Sequence, residues 1–438
     1  MSPFRFFHSV LFAVAISLCA LVFGGLHAPS PAFGQSTTGG VLTIESAMEA
    51  AAQNNELALL AQQEVRRREA EAGLARDRLL PFGELAGTLT RNDTQIQLGD
   101  RAFTNLWDYS ARANLVVPLL RIDEWTARRA LQTSTESAQA LARWEASNLR
   151  VSAGRAYLAA LTAQQNLAAA NEQIGMAQTS LEQSAALADA GFLVDADVAQ
   201  AELQLLQAQN NVVRARLEHR NALASLAFIM GVPEDEVMSA ELYTPTLPAA
   251  APAQPLASEQ AQRVALQSAQ QLLRSVRQDW VPTLNLVGQY NFQRASLRAP
   301  NGTFWTISLN LNWAFLDMTR RGRREVAEVQ RQTAEIQADR LARSNAFERA
   351  QANRTVESTG IEVQTAAQQI EAAEIAQNLV RERFSAGEVT VLEMTQADTA
   401  VFTARIAHHL AQLNRDLAQL DLLFFSGALD DTSPGVTE

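Results

Sequence analysis

One thirteen-residue stretch constrains this chain more than any other, because it occurs twice. Ala190-Gly191 is followed by Asp197-Val198 and by Gln200-Ala201-Glu202, and 196 residues later Ala386-Gly387 is followed by Glu393-Met394 and by Gln396-Ala397-Asp398. Each copy lies between long Ala-rich segments that lack proline, so each reads as the turn of a helical hairpin whose Gly ends one helix in the left-handed conformation. Asp197 with Gln200, and Thr390 with Glu393, are then expected to cap the next helix. Length alone suggests about three domains. A turn duplicated in register instead argues for two halves of one architecture.

Other landmarks keep the same offset. Asn114-Leu115 maps onto Asn310-Leu311, Phe228 onto Phe424 and Gly231 onto Gly427. The spacing from Asn114 to Gly191 equals that from Asn310 to Gly387, which predicts two turns at one depth, far from whatever precedes the helices. A helix from about Leu120 to Ala190 would be roughly 105 Å long. The returning helix carries a seam through Val198, Ala201, Leu205, Ala208, Val212 and Ala215, and a second beside it through Leu203, Leu206, Val213 and Leu217. Two seams predict a neighbour on each side, as in a closed ring of helices.

Before each hairpin the period changes to two. Leu85, Gly87 and Leu89 alternate with Glu84, Ala86, Thr88 and Thr90, a weaker pattern, and Trp107, Tyr109, Ala111, Ala113 and Leu115 alternate with polar neighbours. In the second half Leu284, Leu286, Tyr290 and Phe292 alternate with Asn285, Gln289, Asn291 and Gln293, and Trp305, Ile307, Leu309, Leu311 and Trp313 do the same. Strands are expected at about 82–91, 106–117, 283–294 and 304–314, with Asn301-Gly302 supplying a hairpin turn. Aromatics at the strand ends, namely Trp107, Tyr109, Tyr290, Phe292, Trp305 and Trp313, fit the aromatic belt of a membrane β-barrel. Four strands cannot close a membrane barrel, which needs about eight, so the barrel is expected to be shared between subunits.

The N-terminus reads as a secretory leader over residues 1–34: Arg5 precedes a hydrophobic run from Val10 to Phe23, and a small, Pro-rich stretch follows. The only cysteine, Cys19, lies inside that run, which excludes disulfide and thiolate chemistry from the exported chain. All 36 basic residues are arginine, and the net charge is −11, disfavouring nucleic acid as a partner. His219, His408 and His409 fall on the helical seams, and adjacent His408 and His409 point about 100° apart, so no metal site is expected. No phosphate loop, nucleophile elbow or HExxH is present, so neither a cofactor nor an enzyme is expected.

In combination the chain resembles the TolC family of outer-membrane efflux proteins. The resemblance rests on Asn55-Glu56-Leu57 leading to Pro81, on the duplicated strand pairs, on Val117-Pro118-Leu119-Leu120 entering the long helix, and on the two Ala-Gly turns. It implies a homotrimer, with a twelve-stranded barrel in outer-membrane lipid continued by a coiled-coil α-helical barrel across the periplasm. The mainly α chain would thus consist of two repeats of helix, strand, strand, long helix and helix. Its tip would meet a periplasmic adaptor and an inner-membrane transporter, conducting substrates passively. The expected order is leader 1–34, first repeat 35–232, Pro/Ala-rich linker 233–257, second repeat 258–429 and a disordered tail 430–438. The tip turns Ala190, Gly191, Phe192, Ala386, Gly387 and Glu388 would dock the adaptor. In the best-known member a Tyr and an Arg tie the second turn to the first; Phe384 and Val389 stand there in this chain, while the acid they meet is kept as Asp197. Asp195, Asp197 and Glu393, in tip stretches from Gln183 to Val213 and from Ser385 to Ala404 that hold no basic residue, are expected to form a cation-selective constriction. The alternative from another class is a periplasmic coiled-coil adaptor or scaffold, which would share the hairpins but has little use for the strands.

Overall fold

The computed structural model describes residues 41–93, 97–98, 101–102, 107–245, 247–248, 254–294, 302–386 and 388–430. The expected leader, Asn301, Gly387 and residues 431–438 lie outside them. A two-residue strand β1 (Val41–Leu42) is followed by helices α1 (Ile44–Asn54) and α2 (Glu56–Asp77). The pattern from Leu42 to Leu80 predicts one continuous helix, and the structure divides it at Asn55. That residue is extended (φ −65°, ψ 139°), its Oδ1 accepts the Leu57 N–H at 2.9 Å, and its Nδ2 donates to the Ile229 carbonyl at 2.9 Å. An Asn whose side chain substitutes for a lost helical bond is a break with its own cap.

Next come β2 (Phe82–Arg91), a small hairpin β3 (Gln97–Leu98) and β4 (Arg101–Ala102), and β5 (Trp107–Leu120). The helix α3 (Ile122–Asp189) has 68 residues, about 102 Å at the α-helical rise. It turns back into α4 (Asp195–Met230), which ends at Gly231 with φ +67°. A Cβ at Gly231 would stand 2.8 Å from the Asn54 carbonyl oxygen, so both the left-handed angle and the close approach to the α1–α2 break demand glycine.

The segment between the halves is more structured than its proline content predicts. It holds helix α5 (Glu234–Met238) and strand β6 (Glu241–Leu242), which pairs in parallel with β1. Tyr157, fully buried on α3, clasps both strands: its hydroxyl donates to the Leu42 carbonyl at 2.8 Å and accepts the Tyr243 N–H at 2.9 Å. Around it lies the main apolar core, from α1, the middle of α3, the end of α4, Val237, Leu242 and Leu420.

The second half has a single helix α6 (Ala257–Gln278) in place of α1 and α2, then β7 (Thr283–Arg294), β8 (Gly302–Asn312), α7 (Arg320–Ser385, 66 residues) and α8 (Val391–Phe425). Asp430, assigned from sequence to a disordered tail, belongs to the fold. Its carboxylate accepts the Ala257 N–H at 2.7 Å, capping α6 from a distance, and the Ser147 hydroxyl on α3. Leu256, the residue before α6, offers no side-chain cap, which is why an acid from elsewhere fills the role.

The sheet has strand order β2-β5-β7-β8, antiparallel throughout, with β2 and β8 as free edges. Two strands differ from the expected ones at their ends. β5 runs on through Pro118 to Leu120, its register slipping between Pro118 and Leu120, a bulge where a missing N–H is tolerated. β8 starts and stops two residues early, leaving Trp313 beyond the strand, where its indole N–H donates to the Trp280 carbonyl at 3.0 Å.

Candidate functional site

The two duplicated turns are built alike. After α3, Gly191 has φ +83°, its N–H donates to the Ala188 carbonyl at 2.9 Å, and the Phe192 N–H reaches back to the Leu187 carbonyl at 2.9 Å. After α7, the Glu388 N–H reaches back to the Arg383 carbonyl at 3.0 Å across the same number of residues, with Gly387 itself outside the described residues. Both patterns close a helix end by a six-residue loop. Thr390 and Glu393 form the expected reciprocal cap: Thr390 Oγ1 accepts the Glu393 N–H at 3.3 Å and Glu393 accepts the Thr390 N–H at 3.1 Å. The first turn departs from expectation by one helical turn. α4 begins at Asp195, so Asp197 is the residue that reaches back, accepting the Val194 N–H at 3.2 Å, and is not the cap partner of Gln200. Val194 has no side-chain oxygen, and only half of the capping pair exists there.

The turns lie side by side. Phe384 is 1% exposed and packs with Ala201, Val391 and Met394, inside a shell of Leu181, Leu187, Leu193, Val380 and Val389. Residues of both hairpins share this cluster, so Phe384 and Val389 join the second turn to the first by packing. Phe192, Val194 and Leu392 remain exposed around it. Asp195 is exposed, as are Glu202, Glu388 and Glu393.

The acid that closes the second copy of the duplicated stretch is buried. Asp398 is 3% exposed, accepts the Gln377 Nε2–H at 2.7 Å and stands 3.6 Å from Arg381. Burial raises its carboxyl above the usual carboxylate range, against the opposing pull of Gln377 and Arg381. Higher on the hairpins Arg405 of α8 bridges Glu172 of α3 and, at 2.9 Å, Glu374 of α7, which holds its guanidinium firmly protonated. His409 Nδ1 lies 3.0 Å from Asn166 Oδ1, and burial lowers its pKa from the ordinary histidine value. Among the described residues no group of three His, Cys, Asp or Glu is placed to hold a metal ion. One groove, about 680 Å³, is open and uncharged, lined by Gln200, Gln204, Gln207, Gln369, Thr395, Thr399 and alanines among others.

Two surfaces of the single chain are unpartnered. On the sheet, Leu85, Ala113, Tyr290 and Trp305 form one cross-strand row, and Glu84, Asn114, Gln289 and Thr306 form the next row on the opposite face. Arg112 donates to Asn291 at 3.0 Å on that polar face, while Leu85, Tyr290, Trp305, Ile307, Leu309 and Leu311 are exposed on the apolar one. Trp107 is exposed beneath Arg91, whose guanidinium lies 5.4 Å from the ring centroid; Phe292 is half-buried, and the Tyr109 side chain lies outside the described atoms. On the helices, the first seam of α4 is covered: Ala201, Ala208, Val212 and Ala215 are buried. Its second seam, Leu203, Leu206, Val213 and Leu217, is exposed, and so are Ile361, Ile375 and Leu379 on α7. Within the chain α3 and α8 pack together and carry α4 and α7 respectively. Among the described residues no helix is long and apolar enough to cross a membrane.

Residues 47–232 and 259–428 match the profile of the family described as outer membrane efflux protein. No curated protein sequence matches the chain. Solved structures share its fold at low identity. The Campylobacter jejuni CmeC outer membrane channel is 15% identical with a TM-score of 0.77, over 88% of this chain and 85% of that one. The outer membrane protein VceC from Vibrio cholerae is 16% identical with a TM-score of 0.76, over 88% and 96%. The open state of the Neisseria gonorrhoeae MtrE outer membrane channel is 18% identical with a TM-score of 0.68, over 88% of each.

Proposed function

The chain belongs to the outer membrane efflux protein family, and from that premise we propose that it is the outer-membrane duct of a tripartite efflux or type I secretion system. Three copies close into a twelve-stranded barrel in the outer membrane, continued by a helical tube in the periplasm. The tip turns meet a periplasmic adaptor and an inner-membrane transporter, and substrates pass without chemistry. At the tip, Asp195, Asp197 and Glu393 each become a ring of three that favours cations. The adaptor or scaffold alternative gives no use to a sheet with an exposed apolar face.

The observation that carries this reading is that the unpartnered surfaces are complementary. β2 and β8 are long open edges, a state natural sheets avoid unless another strand fills them. The exposed seams sit on the outer helices at matching depths: Leu203 and Ile375 each lie twelve residues from their turn glycine, and Leu217 and Ile361 each twenty-six. Leu217 is 59% and Ile361 63% exposed in the single chain, and α4 of one copy against α7 of the next covers both. Cysteines at Leu203 and Ile375 test this, since the only native cysteine falls in the expected leader. Oxidation of the pair is expected to give covalent trimers on a non-reducing gel, and each single variant none. Only monomers, or a mature chain recovered as a soluble periplasmic monomer, would overturn the reading.

A further inference from the structure

The sheet meets the helices at four junctions, and the strand registers place all four at one end. Phe82 pairs with Val116 near the end of β5, Leu120 pairs with Leu284, and Thr283 pairs with Asn312. Although the whole chain is at −11, each junction is net positive. Residues 74–81, 119–130, 270–282 and 313–325 together hold eleven arginines and six acids. At the tip the balance is opposite, with no basic residue from Gln183 to Val213.

Some of these arginines are held within the chain. Arg121 pairs with Glu124 at 3.1 Å, Arg277 with Glu328 at 3.5 Å and Arg323 with Asp279 at 2.7 Å. Arg78, Arg129, Arg274, Arg321 and Arg324 are exposed and have no side-chain partner among the described residues. Arg321 stands in the first turn of α7 and Arg324 directly after it, at the helix end where the dipole disfavours cations, so local structure gives no reason for them. Beside the same junctions Trp125, Trp280, Trp313, Phe315, Leu316 and Met318 are exposed. Tryptophans with an apolar body and a polar edge mark the boundary between hydrocarbon and water.

We infer that this collar binds the acidic phospholipid headgroups of the leaflet on the helical side of the membrane. The guanidinium groups take the phosphates and the aromatic shelf seats among the upper acyl carbons. The inference rests on the barrel reading above, which supplies the membrane. Its charge complement is an anionic phosphodiester next to hydrocarbon, which a soluble phosphate lacks.

The test is quenching of tryptophan fluorescence by brominated-chain lipids after reconstitution of the full-length trimer in vesicles. Phosphatidylcholine vesicles receive either brominated phosphatidylcholine or brominated phosphatidylglycerol. The glycerol lipid is expected to quench more strongly at low salt, and the difference to shrink at high salt. Arg274→Gln, Arg321→Gln and Arg324→Gln are expected to reduce the preference by about fivefold per arginine removed. If the variants fail to trimerise, the salt dependence of the wild type decides. Equal quenching by the two lipids in inserted protein overturns this inference alone, whereas failure to insert into phosphatidylcholine overturns the barrel reading as well. Competition by soluble glycerol phosphate as effective as by the lipid would show a free-phosphate site and also overturn it.

Discussion

Asp398 is the residue where the sequence pattern and the fold part company. A carboxyl whose folded pKa is raised holds its proton where the unfolded chain has released it. Its contribution to stability therefore falls as pH rises from the ordinary carboxylate value through the raised folded value, and stays low above that. Asp398→Asn keeps an acceptor for Gln377 and removes the charge. The variant is expected to melt above the wild type at neutral pH, with the gap closing as pH falls through that window, measured by thermal unfolding in detergent across a pH series. A constant gap at all pH values would mean that the carboxyl is not the group that titrates. The partners of Asp398 are not legible in the sequence because Gln377 and Arg381 sit on the preceding helix, Gln377 21 residues away across the turn. The Thr390–Glu393 cap was legible because both partners lie within one turn. Phe384 is singled out by the family resemblance, but that it is buried in one cluster with Ala201 depends on packing between hairpins, which no local spacing encodes.

At the scale of elements, duplication and period did most of the specifying. Alternation of apolar and polar residues placed β2 and β7 to the residue, since a strand with one wet and one greasy face repeats every second position. Strand ends were less legible, because Pro118 continues β5 through a bulge and Trp313 keeps the alternation after hydrogen bonding has stopped. The clasp of β1 and β6 was invisible in two-residue segments whose reason for pairing is Tyr157, far away in sequence. The hairpin turn gives an element-scale prediction. Gly191 at φ +83° has open space for a Cβ, so only the backbone angle opposes a side chain. Gly191→Ala is expected to cost about 1–2 kcal/mol locally. The cost should appear as faster proteolysis between Asp189 and Asp195, with the melting temperature of the whole almost unchanged. Unaltered cleavage would mean that the turn has a different resting conformation.

For the whole molecule, the proposed ring of acids at the tip predicts conduction. In planar bilayers Asp195→Asn, Asp197→Asn and Glu393→Gln together are expected to abolish cation preference and block by multivalent cations. Both substitutes retain an oxygen acceptor for the Val194 and Thr390 N–H groups, so the helices stay capped while the charge goes. Unchanged selectivity would leave these residues as caps only. The two free edges of the sheet carry a consequence of another kind. β2 and β8 are different strands, so in the proposed assembly the contact between copies would be head to tail, and nothing in such a contact limits the number of copies except the angle through which each turns the next. A substitution that flattens the sheet by a few degrees per chain would leave the pairing intact and the ring unclosed. Its phenotype would be open, sticky oligomers with no pore, a failure of counting rather than of folding.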